Sequence, residues 1–183
     1  MTIGEYIAQE LKTDQRLPFD TQQCIFPKKH VLTETGQVET HVYFLQEGIV
    51  EAGIHKEGED RIIEFFYPHQ FVSSYTSFLT QRKSDVYLVC LTDCKIERMN
   101  HTDLVAAYQH SLVANQLGRH LTERAYLQRV QKEKDFLVKS AEERYLDLLA
   151  QRPKVAMEIP VSKIAKYLGI HPESLSRIRK SIS

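Results

Sequence analysis

Glu173 and Arg177 stand four residues apart in a segment that closes on Arg177-Ile178-Arg179-Lys180. At helical spacing two such residues share a face. An arginine fork matches the O6 and N7 of guanine, and a carboxylate accepts from the cytosine amino group. Ser174, Ser176, Arg179 and Lys180 have donors suited to phosphate oxygens. Together these residue types can read a DNA major groove. The plainer alternative is a surface i,i+4 ion pair, worth about 0.3–0.5 kcal/mol. Charge favours the first reading. From residue 160 onward Lys163, Lys166, Arg177, Arg179 and Lys180 stand against Glu173 alone, while the whole chain is formally neutral. A basic end on an acidic body suits a DNA-binding module joined to something else.

Such residues need a scaffold that presents them. Ile164, Ala165 and Leu168 form one apolar helical face, and Leu175 and Ile178 form another. Gly169 lies between them, where a turn needs φ > 0. Pro172 suits the first turn of a new helix. Ala165 lets the helices cross closely, Gly169 makes the corner, and Leu175 plugs the angle. This is a helix-turn-helix with its second helix offered to the groove.

The rest of the chain narrows the class. With 183 residues, 42% hydrophobic and 26% charged, it can form one or two soluble domains with a sizeable core. No run of apolar residues is long enough for a transmembrane helix, and residues 1–10 lack the pattern of a signal peptide. Cys24, Cys90 and Cys94 are odd in number and lack a C-x-x-C motif, so reduced thiols in a cytoplasmic protein are expected. Three thiolates do not supply the four of a cysteine-only iron–sulfur cluster. The eight histidines are scattered, and no metal or nucleophile motif is present. No cofactor, metal site or enzymatic activity is expected.

In chain order, Ile3, Tyr6, Ile7 and Leu11 predict an amphipathic helix. Short runs rich in β-branched and aromatic residues then predict strands at 31–35, 42–45, 49–54, 61–66, 86–91 and 95–99, with a hairpin loop at 55–60. This spacing predicts a jelly roll or small barrel. Residues 101–108 predict a short helix, and residues 111–136 a long one. Leu112, Leu117, Leu121, Ala125, Leu127 and Val130 give the long helix more apolar surface than one small barrel needs, so it is expected to pair with a second copy. Ser140-Ala141-Glu142-Glu143 is a capping box for a helix over 145–150, and 155–159 reads as a short strand.

Residues 161–180, with this element order, resemble the Crp/Fnr family of bacterial transcription regulators. The strongest likeness is Ile164-Ala165-Lys166-Tyr167-Leu168-Gly169-Ile170-His171-Pro172-Glu173-Ser174-Leu175-Ser176-Arg177-Ile178-Arg179. Ser140-Ala141-Glu142-Glu143-Arg144-Tyr145-Leu146 is similar to short Bacteroidetes-type members, and Val42–Gly48 and Phe65–Phe71 are weaker matches. The resemblance implies an α+β chain. Residues 1–110 would be a cyclic-nucleotide-binding-like jelly-roll sensor, 111–139 a dimerisation helix, and 140–183 a helix-turn-helix domain, a winged helix reduced by the few residues after Lys180. It places Glu173 and Arg177 on the family's base-reading pair, and Pro172 where some members carry another Arg.

The resemblance also implies a ligand cassette, from which this sequence departs. Members that bind cyclic AMP hold the ribose with a Gly-Glu and the phosphate with an Arg followed by Ser or Thr. Here those places read Val72-Ser73 and Lys83-Ser84-Asp85, with Arg82 one step early. Ser73, Ser74, Arg82, Lys83 and Ser84 are therefore candidates for a pocket with a different, unknown small-molecule effector, and regulation by cyclic AMP is not expected. The expected protein is a cytoplasmic homodimeric regulator that binds an inverted-repeat operator in double-stranded DNA and no membrane. The alternative is a ligand-binding or protein-interaction module of the same fold with a vestigial DNA-binding end.

Overall fold

The computed structural model describes every residue except Asp14, Gln15, Lys154 and Ser183, together with the side chain of Ala156. Eight strands form two four-stranded antiparallel sheets packed face to face. In chain order the strands are β1 (Thr21–Phe26), β2 (Val31–Thr33), β3 (His41–Glu47), β4 (Val50–Lys56), β5 (Glu59–Phe66), β6 (Gln70–Val72), β7 (Tyr87–Cys90) and β8 (Cys94–Asn100). One sheet runs β1-β8-β3-β6 and the other β2-β7-β4-β5. The helices are α1 (Ile3–Leu11), α2 (Tyr75–Thr80), α3 (His101–Tyr108), α4 (Leu112–Val138), α5 (Ala141–Gln151), α6 (Val155–Glu158), α7 (Val161–Leu168) and α8 (Pro172–Ser181).

Burial follows from covering each sheet on both faces. Tyr43, Leu45, Val50, Ala52, Leu88 and Ile96 meet between the sheets. Their neighbours along the strands point the other way and are also covered, so β3 and β4 are buried almost continuously rather than alternately. On one outer face Val42, Phe44 and Met99 pack against α1, α3 and the first half of α4. On the other, Ile49, Ile62 and Phe65 pack against α5–α8 through Ile164, Ala165, Leu168 and Leu175.

Local chemistry sets the helix starts. Thr2 and Ser140 each close a two-way capping box, with Glu5 and Glu143 respectively. Asn100 and Ser111 cap α3 and α4 with their side chains. Two strands and one short helix lack a legible pattern in the sequence. β1 alternates exposed and half-buried residues of mixed type, and β6 and α2 are short. Residues 155–158 form α6 rather than the expected strand, because Val155 and Ile159 both turn into the helical core with Tyr145.

One ion pair joins the two ends of the chain. Glu51 on β4 faces outward from the sandwich yet is only 1% exposed. Lys163 of α7 donates to both its carboxylate oxygens, at 2.6 and 2.9 Å, and the Tyr87 hydroxyl donates at 3.0 Å. Gly53 pairs with Tyr87 across the ladder. A Cβ on Gly53 would lie 2.4 Å from the Tyr87 hydroxyl, so only glycine leaves room for the ring that reaches Glu51. Removing one partner of a buried pair costs about 3–5 kcal/mol. Lys163 is one-third exposed, so Lys163→Met is expected at the low end, about 3 kcal/mol. Urea unfolding checks this, and Glu51→Gln added to Lys163→Met should recover part of the loss.

Candidate nucleic-acid interface

The sequence-derived corner is present in atomic detail. α7 ends at Gly169, whose φ of 70° is left-handed. Its N–H groups and those of Ile170 return to carbonyls of the preceding turn, closing the helix end. Ala165 and Leu175 are both fully buried, so the small residue permits the crossing and the leucine fills it. Pro172 opens α8 at its first turn.

Leu175 turns inward, and the intervening residues of α8 turn out. Glu173, Ser174, Ser176, Arg177 and Lys180 are exposed, and Arg179 is half-buried. Glu173 and Arg177 form no ion pair among the described residues, so neither head group is committed to the other. Glu173 sits in the first turn, where the helix dipole favours a negative charge. The basic cluster is smaller than the sequence implied. Lys163 is spent on Glu51 and faces the sandwich, leaving Lys166, Arg177, Arg179 and Lys180 on the helical domain.

α4 divides its apolar residues between two sides. At 3.6 residues per turn, Val113, Ala114, Leu117 and Leu121 share the side against the sandwich, the first three fully buried. Leu112, Tyr126, Val130 and Leu137 fall on the opposite side, with Leu127 on the flank between. Tyr126, Leu127 and Leu137 are 67%, 65% and 78% exposed. The stripe read as one seam is therefore two. Leu117 and Leu121 belong to the core, Leu112 and Leu127 to a surface left open among the described residues, and Val130 is half-buried.

The sandwich end differs from the sequence-based expectation. Glu39 is 2% exposed and sits among the residues expected to line a pocket. Its carboxylate accepts from the Thr33 hydroxyl at 2.5 Å, from the His41 N–H at 3.0 Å and from the Ser74 N–H at 3.4 Å. Ser77 accepts from the Glu39 N–H at 3.0 Å. The hydroxyls of Ser74 and Ser84 lie 2.6 Å apart, and Ser84 also bonds Val86. Ser73 donates to the His41 carbonyl. Arg82 and Lys83 are exposed to solvent. The structure thus brings Ser74 and Ser84 together around a carboxylate of the chain itself and leaves Arg82 and Lys83 outside. Glu39 carries no sequence signal of its own; Glu51 does, as a lone charge inside the apolar run 49–54.

Among the described residues no cluster of His, Cys, Asp or Glu is arranged to hold a metal, and no helix is long and apolar enough to cross a membrane. Cys24, Cys90 and Cys94 are free thiols.

Residues 23–111 match the family model of the cyclic nucleotide-binding domain. A search of curated protein sequences returns no match. Solved structures similar to the whole chain include FixK2 from Bradyrhizobium japonicum, with 16% identity over 89% of this chain and 84% of that one, at a TM-score of 0.75. The c-di-GMP-responsive regulator CLP from Xanthomonas campestris is 19% identical over 88% and 86%, with a TM-score of 0.68. A Crp/Fnr-family transcriptional regulator from Thermus thermophilus is 13% identical over 88% and 85%, with a TM-score of 0.69. The sandwich, the long helix and the C-terminal helices are thus one shared architecture.

Proposed function

We propose that this protein is a sequence-specific, homodimeric transcription regulator: residues 23–111 match the cyclic nucleotide-binding domain model, and the chain shares its fold with FixK2 and a Crp/Fnr-family regulator. The observation that carries the reading is α8. Its Glu173, Ser174, Ser176 and Arg177 are solvent-exposed while Leu175 anchors it to α7. That is what a recognition helix requires: a fixed backbone and uncommitted polar heads. The outward side of α4 supports a two-fold partner, because Tyr126, Leu127 and Leu137 are largely uncovered among the described residues. Two copies joined there read an inverted repeat in double-stranded DNA.

Cyclic AMP is not the effector in this reading. The ribose acceptor is missing, and the serines beside α2 are engaged with one another and with Glu39. A ligand phosphate entering there meets a buried carboxylate, and like charges at close range repel.

Leu127→Glu should convert a dimer at micromolar concentration to monomer in sedimentation, with the fold intact by circular dichroism. Leu117→Glu, by contrast, places a charge in the core and should unfold the chain. Arg177→Ala should cost roughly 1–3 kcal/mol of specific binding and relax preference at one base pair per half-site. Lys180→Ala should weaken all sequences alike and lower the salt slope by about one per subunit. Titration over a range of salt concentrations separates the two, and equal behaviour of both variants argues against the groove reading. In calorimetry, cyclic AMP should show no binding tighter than about 1 mM; a low-micromolar constant contradicts this account of the sensor.

A further inference from the structure

A cleft of about 440 Å³ opens along the β5–β6 edge of the sandwich, between α4 and the C-terminal helices. Phe65, Phe71, Leu121 and Leu148 contribute apolar lining. Its size falls in the range of small-molecule sites, about 300–1,000 Å³. What sets it apart is its polar groups. Tyr67 is 8% exposed, and its hydroxyl has no hydrogen-bond partner among the described residues. The Nε of Arg144 is buried and equally unpaired, although the Nη atoms donate to the carbonyls of Lys139 and Leu168. Buried polar groups are normally satisfied, so each such orphan calls for an explanation. The Arg152 guanidinium lies 4.6 Å over the Tyr67 ring and forms no ion pair among the described residues.

The acidic residues of the lining are already committed. Glu64 pairs with Lys132 at 3.1 Å, and Asp135 and Asp147 pair with Lys139 at 3.0 and 2.7 Å. Arg124 is shared between Glu10 at 3.5 Å and the Tyr6 hydroxyl at 3.0 Å. Burial pushes the Tyr67 phenol up to about 12, so it stays a donor at neutral pH. Tyr67 and Arg152 thus leave a donor and a cation uncommitted beside apolar walls.

We propose that this cleft binds a small organic anion with an apolar body, a carboxylate or a phosphate ester, whose acidic group is held by Arg152 and the Tyr67 hydroxyl. Arginine suits such groups because its planar fork meets two oxygens at once. The seam side of α4 points away from the cleft, so a dimer leaves it open. The site stands whether or not α8 reads DNA.

The test is calorimetry on the full chain with three probes of one ring system: 2-naphthoate, 2-naphthyl phosphate and the neutral 2-naphthamide. At least one anion should bind roughly tenfold or more tightly than the amide, as a charge-assisted contact provides. Which anion binds better identifies the head group. Arg152→Met and, separately, Tyr67→Phe should each weaken the anion about fivefold or more and leave the amide unchanged. Arg177→Ala should bind the probes as the wild type does, which keeps this site distinct from the DNA reading. Amide and anions binding alike, neither anion binding below about 1 mM, or full anion affinity in both folded variants would overturn the proposal.

Discussion

A carboxylate on the outer face of a sheet, sealed from water, fixes the geometry of the whole chain. Glu51 is 1% exposed, and taking such a charge out of water costs several kcal/mol unless it is paired. The sandwich supplies only a phenol, from Tyr87. The matching cation comes from residue 163, on the helical end of the protein. α7 must therefore lie on the β4–β5 face with Lys163 turned inward. Once α7 is set, the left-handed Gly169 and the buried Leu175 leave one direction for α8, with its Glu173 and Arg177 outward. The outward placement of Glu173 and Arg177 is thus tied to electrostatics on the sandwich side of α7.

α4 serves the same arrangement from the other direction. Its first half is held in the core by Val113, Ala114 and Leu117, and its second half runs past the sandwich edge to α5. Because its apolar residues lie on opposite sides, one helix can be a wall of the protomer and a seam for a partner. Between that wall and α7 the cleft remains. The sandwich behaves differently: Glu39, Thr33, Ser74, Ser77 and Ser84 satisfy one another there. In this chain the space between domains, rather than the inside of the sandwich, offers unused hydrogen-bonding capacity.

Much of this was legible in the sequence. The turn at Gly169, the plug at Leu175 and the capping box at Ser140 are local signals, decided by residues within one or two helical turns. The strands β3, β4 and β5 were legible from their apolar runs, although β5 lies at a sheet edge. β1, β6 and α2 were not, because they are short or edge-like and their pattern is set by neighbours far along the chain. α6 was misread because an apolar pair four residues apart, Val155 and Ile159, serves a helix as readily as a strand end. Periodicity found apolar stripes on α4 but not which side met the sandwich. The functional polar groups were least legible. Glu39 and Arg152 stand in no motif, and the stretches that hold Tyr67 and Arg144 gave those two residues no role; their meaning comes from burial and from partners present or missing in three dimensions.

In the proposed regulator, α8 reads base sequence as one half of a two-fold pair. Selection of the intact protein against a randomised pool of duplexes at moderate salt tests this most directly. The account predicts enrichment of an inverted repeat whose half-sites lie about one helical turn apart. A pool that emerges without sequence preference, from a protein shown to be folded and dimeric, would contradict it.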